Sequence, residues 1–434
     1  MFYKRIQLGL LHVAVAMTLV PINSTLNRVM IKELAISATL VAILASLPYL
    51  FSPIQVWIGS FADRHPLWGL RRTPYIALGL LLCVLGVAVS PLAAFLIAEN
   101  FWIGLVCGLL AFGAWGMGYN LASVSYLSLA SEISGEKGRT KTIAVMFFMM
   151  IASIIFTAIG ISRLVDPYTP QALLQAFWIV GAAALLLGFL GLLGLEKRAE
   201  PGAIPTGKAY SWIALSRTVF NNPQARIFFI YLIILLTAIL GQDILLEPFG
   251  AEAFGMSVQQ TTRITSIWGT CVLAALVVAG LLEGRVSKRS VAQWGAWGAL
   301  SGFVLITLSG LVSSQSLFYS GVVLLGVGTG LATVSNLSLM LDMTTAGNVG
   351  LYIGAWGMAN AFSRLAGNVL AGVVRDSAAQ VVQRPVFGYL VVFVIEVMLL
   401  LISLWLLGQI DVGRFRQRAE KMNLLERSAL ANDG

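Results

Sequence analysis

The sequence predicts an all-α integral membrane protein: twelve transmembrane helices arranged as two pseudo-symmetric six-helix bundles. Three observations predict it. Of the 434 residues, 58% are hydrophobic and only 11% charged, with mean hydropathy +0.87. A water-facing domain carries about 25% charged residues, so the outer surface here faces lipid. The apolar residues gather into stretches of roughly the 20 residues that cross about 30 Å of hydrocarbon. The chain also repeats itself at an offset of 210 residues.

Taken in order, the apolar stretches place spans at 8–30, 38–60, 73–94, 101–128, 141–163 and 172–194, then at 226–248, 263–283, 291–311, 316–340, 350–373 and 386–408. The first stretch is too long for a cleavable leader and reads as the first span. The spans divide the chain into a bundle over 1–195, a linker over 196–225 with Pro201, Gly202 and Pro205, a bundle over 226–410 and a tail over 411–434. Twenty-one of the 28 Lys and Arg fall on the side of the termini and six on the opposite side, with Arg364 inside a span. That asymmetry satisfies the positive-inside rule and predicts cytoplasmic N- and C-termini.

The net charge of +9 sits in short clusters between spans, which is a loop pattern and not a nucleic-acid surface. Cys83, Cys107 and Cys271 all lie in apolar runs, as buried small residues do. There is no zinc-ligand spacing, no phosphate-binding loop and no nucleophile–base–acid set, so neither a metal centre nor an enzyme is expected.

The repeat sets GMGYNLASVSYLSL (116–129) on GVGTGLATVSNLSL (326–339), with nine of fourteen positions identical and an acid following in both, Glu132 and Asp342. It makes spans four and ten equivalent. A second match, at offset 220, lays Asn23, Asn27 and Ser37 on Asp243, Glu247 and Ser257 and joins spans one and seven. Parallel repeats about an axis along the membrane normal resemble the major facilitator superfamily. The loop GSFADRHPLWGLRR (59–72) resembles that superfamily's cytoplasmic motif. In it Gly59 is expected to permit close helix contact, and Asp63 can sit at a helix N-terminus and take positive partners. Arg64, Arg71 and Arg72 are expected to tie the halves together as a latch. The corresponding GLLEGRVSKRS (280–290) is degenerate.

Three stretches narrow the resemblance: TLNRVMIKEL (25–34), DRHPLWGLRRTPY (63–75) and above all GQDILLEPFGAEAFGMS (241–257). Together they resemble the PucC/LhaA family of light-harvesting complex assembly proteins, closest in look to its cyanobacterial-type members, over roughly residues 5–410. The resemblance implies a bacterial cytoplasmic, intracytoplasmic or thylakoid membrane. It also implies a role in building photosynthetic pigment–protein complexes, with antenna or photosystem polypeptides and a tetrapyrrole pigment as partners beside membrane lipid. Chlorophyll or bacteriochlorophyll is the implied cofactor, with carotenoid a further candidate. A secondary transporter of a tetrapyrrole or another amphiphilic organic anion is the alternative.

Ionisable groups inside spans are costly and normally face a cavity or a partner. The richest set joins spans one and seven, where Asn27 and Arg28 oppose Asp243 and Glu247, and an Arg28 pair with Glu247 or Asp243 is expected as a gate. Arg364 and Glu396 are the deeper candidates for a substrate contact or a proton step. Glu132 and Asp342 are expected to meet the basic loops structurally. His12 is the only histidine within a span, and neutral imidazole is a good axial ligand for a tetrapyrrole metal.

Overall fold

The computed structural model describes residues 2–55, 58, 61–62, 65–196, 198, 222–282, 284–343 and 349–415. The linker at 199–221 and the tail from 416 lie outside the described residues, as do Gly59, Asp63 and Arg64 of the expected latch. The first bundle comprises α1 (Phe2–Glu33), α2 (the consecutive helices Ala38–Ala45 and Leu47–Leu50), α3 (Thr73–Glu99), α4 (Phe101–Gly135), α5 (Lys141–Leu164) and α6 (Pro170–Leu192). The second comprises α7 (Pro223–Ile244), α8 (Val258–Leu282), α9 (Lys288–Val312), α10 (Gln315–Asp342), α11 (Val349–Val382) and α12 (Pro385–Gln409). Ten of these, all but α2 and α11, are long and apolar enough to cross a membrane. The protein is an integral membrane protein.

Polar caps and prolines start the helices where the sequence places them. Thr169 accepts from the Ala172 amide at 3.0 Å ahead of Pro170, and Asn222 accepts from Gln224 at 3.0 Å ahead of Pro223. Such caps satisfy donors that have no partner within the helix, and proline at the first turn lacks a donor that would be wasted there. Two expected boundaries shift. The loop expected between spans four and five is mostly helix, broken at Gly135 (φ 60°, ψ 178°), a backbone conformation open to glycine. The eleventh helix runs to Val382 and not 373, because Arg375 and Asp376 in its last turns are paired (below) and need no water.

The repeat is realised as one contact made twice. A Cβ on Gly79 of α3 would lie 2.5 Å from the Ala122 amide of α4, and one on Gly295 of α9 would lie 2.6 Å from the Ala332 amide of α10. Gly118 and Gly328 complete the two crossings from the other side. Small residues let transmembrane backbones approach where no hydrophobic force drives helices together. Large apolar and aromatic side chains such as Leu110, Phe156, Trp102 and Trp405 point outward, as a lipid-facing surface requires.

Gly79→Val and Gly295→Val are each expected to destabilise the protein by about 1–3 kcal/mol, the usual cost of overpacking, seen as a lowered thermal midpoint in detergent. Gly113→Ala, where a Cβ meets nothing within 4 Å, should leave the midpoint unchanged or raise it.

Candidate functional site between the two halves

The α7 helix loses its α-winding at its end, before the short helix Leu246–Phe254 that follows it. Gln242–Ile244 forms a single 3-10 turn that places Asp243 against Arg364 of α11, with Nη1 to Oδ2 at 2.6 Å. Irregular backbone at membrane depth is tolerated where it lines a cavity or is buried in protein. Both side chains keep accessible surface, 31% for Arg364 and 19% for Asp243, so the pair lines a space between helices and is not sealed in core. The guanidinium also lies 5.6 Å over the ring of Tyr49 in α2, a cation–π contact that reaches into the other half. Glu396 of α12 is buried beside this group.

Towards the face opposite the termini, a polar seal joins the halves. The Glu247 Oε1 accepts from Ser24 Oγ at 2.5 Å and from Thr265 Oγ1 at 2.6 Å. Thr25 and Thr262 hydroxyls meet at 3.2 Å. Arg28 pairs with Glu33, and its Nη2 donates to the Met256 carbonyl at 3.1 Å. The α1 chain bearing these groups is π-helical over Pro21–Leu26 and Val29–Glu33, a wider winding often found at functional sites. In the neighbouring α5–α6 turn, burial first and then the Glu33 carboxylate push the Tyr168 hydroxyl up from its ordinary range, against the pull of Arg28.

A second part of the seal was not foreseen. Asp376, at the end of α11, accepts from the Ala38 amide at 3.2 Å, the Thr39 amide at 2.8 Å and Thr39 Oγ1 at 2.7 Å. A carboxylate on a helix N-terminus is favoured by the exposed amides and the helix dipole. Arg375 holds Asp376 in place at 2.9 Å and bonds Glu252 at 2.8 Å, which also accepts from Tyr389. Deeper in, Asn368 donates to Ser46 at 3.2 Å. The cross-half hydrogen bonds found among the described residues all lie at mid-depth or towards this distal face. The chain is therefore closed there.

Several expected contacts are replaced. Arg28 does not pair with Glu247 or Asp243; the side chains of Ser24 and Thr265 already serve Glu247, and the charge that neutralises Asp243 is Arg364. Asn27 is buried and donates back to the Asn23 carbonyl at 3.1 Å. On the terminal face, as expected of both acids, Glu132 meets Arg72 at 3.2 Å and Asp342 meets the pseudo-equivalent Lys288 at 2.8 Å. The amides of Arg71, Arg72 and Thr73 are received by Glu196 at 2.8, 3.0 and 2.7 Å, so the start of α3 is anchored to the end of α6. His12 is packed between Tyr126 and Phe147 with ring centroids 5.2 and 5.1 Å away. The three cysteines are free.

In double-mutant cycles of unfolding free energy, Ser24→Ala and Glu247→Gln should couple by about 1 kcal/mol, as for a lost buried hydrogen bond. Arg28→Ala with Glu247→Ala should couple less. A coupling as large as that of Ser24 would restore the cross-half ion pair. Thr39→Val with Asp376→Asn should couple by at least as much as Ser24 with Glu247.

Residues 25–415 match the family model described as PUCC protein. Protein PucC of Rhodobacter capsulatus is 31% identical over 426 residues, covering 92% of this chain and 90% of the relative. The "Bacteriochlorophyll synthase 44.5 kDa chain" of Rhodobacter capsulatus is 27% identical over 382 residues, covering 85% and 86%. Among solved structures, a bacterial homolog of the human lysosomal transporter Spinster, inward-facing and unoccupied, superposes with TM-score 0.74 at 12% identity over 96% of this chain and 97% of that one. The nucleoside transporter NupG gives TM-score 0.73 at 15% identity over 94% and 99%. These likenesses show the major facilitator superfamily fold. With nearly the whole described chain inside the family match and paired relatives along its length, the protein belongs to the PUCC protein family.

Proposed function

We propose that the chain is a membrane assembly factor for photosynthetic pigment–protein complexes, binding chlorophyll or bacteriochlorophyll and passing it to newly inserted antenna polypeptides. The observation that carries this reading is near full-length likeness to a relative named as a bacteriochlorophyll synthase chain, within the PUCC family. The reading is non-enzymatic: a transporter fold with a charged pair in its interior binds and releases, and the synthase name belongs to the relative. The Lys/Arg bias supports cytoplasmic termini in a bacterial cytoplasmic, intracytoplasmic or thylakoid membrane.

His12 does not fit as the pigment's ligand. It is 6% exposed and its Nδ1 is enclosed without a hydrogen-bond partner, while Tyr126 and Phe147 cover it; a macrocycle needs an open face. No pigment step is routed through it. The residues better suited to an amphiphilic ligand are Arg364 and Tyr49, a cation and a ring that retain access between the halves. Carotenoid would dock, in this reading, on lipid-facing helix surface together with the antenna helices.

A second reading, a secondary transporter of a tetrapyrrole or other amphiphilic anion, is favoured by the transporter fold and by a distal seal made of exchangeable polar contacts. Purification of the full-length chain from its own membranes tests the first reading. The expected result is a red absorption band of chlorophyll type that falls at least several-fold in Arg364→Ala, together with reduced antenna complexes in a strain lacking the gene. Wild-type protein free of tetrapyrrole, with normal antenna complexes in the disrupted strain, overturns it.

A further inference from the structure

Glu396 is the one acid at mid-membrane depth whose two carboxyl oxygens both lack a hydrogen-bond partner among the described residues. It is 3% exposed and sits where α12 crosses the bend of α7 and passes α11. The crossing is tight: a Cβ on Gly241 would stand 3.3 Å from Glu396 Oε1 and 3.3 Å from the Gly367 carbonyl of α11. The carboxyl group thus faces glycine backbone, with no side-chain donor turned towards it.

The charged surroundings are few. From α7, Asp243 acts on Glu396 electrostatically. From α11, Arg364 is engaged with Asp243 at 2.6 Å. The α9 helix presents Phe303, stacked on Phe393 of α12; its Lys288 and Arg289 lie at its terminal end, where Arg289 bonds the Gly408 carbonyl at 2.6 Å. On α12 itself, Tyr389 lies two turns away and is bonded to Glu252, which Arg375 neutralises.

The group therefore holds two carboxyls and one guanidinium. Arg364 neutralises one acid. A second bare carboxylate, unbonded and beside a like charge, meets the desolvation penalty of a helix centre with nothing to offset it, and repulsion from Asp243 adds to that penalty. A buried carboxyl in that position neutralises itself by taking a proton. We propose that Glu396 carries a proton, making the α7–α11–α12 crossing a proton-binding site that keeps the group with Asp243 and Arg364 electroneutral while the distal face is closed. A metal cation is disfavoured because the site offers one free carboxylate and glycine backbone in place of a ring of oxygens. The site holds whether or not the chain handles pigment.

Infrared difference spectroscopy on the purified full-length protein in detergent, at neutral pH in KCl, tests this. The wild-type-minus-E396Q difference should contain a protonated-carboxyl C=O band, worth one carboxyl per chain and shifted on exchange into D2O. Asp243→Asn should retain it. A difference holding only ionised-carboxylate bands overturns the proposal. So does loss of the band when NaCl replaces KCl, which assigns the site to sodium. If E396Q is not recovered folded, Glu396→Asp serves instead: it should move the band, and an unmoved band also overturns the proposal.

Discussion

An unpaired charge is not tolerated at the centre of a bilayer, and the ion pair between Arg364 and Asp243 is where the chain meets that constraint. Much of the local structure follows from it. The α7 helix gives up regular winding over Gln242–Ile244 to deliver Asp243. The α11 helix carries Arg364 and Arg375 within its length, and both face partners inside the protein. Tyr49 brings α2 of the first half against the same guanidinium. A single neutralised charge thus fixes the relative placement of helices from both bundles.

Contacts within a half and contacts between halves are chemically different. Within each half, α3 on α4 and α9 on α10 meet through glycine and alanine backbones at separations that exclude any side chain. Those contacts have no polar substitute and cannot be exchanged for water. Between halves on the distal side, one glycine crossing, where a Cβ on Gly372 would lie 2.8 Å from the Ala38 carbonyl, stands beside hydroxyls, carboxylates and amides: Ser24 with Glu247, Thr25 with Thr262, Arg28 with the Met256 carbonyl, and α2 with Asp376. The polar groups among these can be satisfied by water instead; the glycine crossing cannot. The seam is therefore the more polar of the two kinds of contact, without being polar throughout.

The sequence made the bundles legible because their signals are long and redundant. Twenty-residue apolar runs and a fourteen-residue repeat tolerate local irregularity, and the paired acids Glu132 and Asp342 proved equivalent in three dimensions, each against a basic residue at the start of the preceding helix of its half. The partners within the site were not legible. Offset alignment brought Arg28 opposite Glu247 by register, but register does not report the rotation of a helix, and the π-winding of α1 changes that rotation. Arg28 turned to Glu33, while short hydroxyl side chains filled the space around Glu247. Asp376 was missed because a carboxylate on a helix N-terminus 337 residues away leaves no local trace. One available signal was the adjacency of Arg375 and Asp376 so near a span end, which is costly unless both are paired.

Whether the seam opens is a question of magnitude. Among the described residues, six hydrogen bonds cross it at the distal face. At a net contribution of about 0.5–1.5 kcal/mol each, together they favour closure by roughly 3–9 kcal/mol, less whatever the opened surfaces regain from hydration. Moving a two-state equilibrium from 1:99 to 99:1 takes about 5.5 kcal/mol of differential binding. The two ranges overlap, so the polar part of the seam is of the size that differential binding of a single ligand can offset. The glycine crossings inside each half are not open to the same exchange, because parting them exposes backbone to lipid with nothing to replace the lost contact. The exchangeable contacts are therefore those of the seam, and the group formed by Asp243, Arg364 and Glu396 lies at its base.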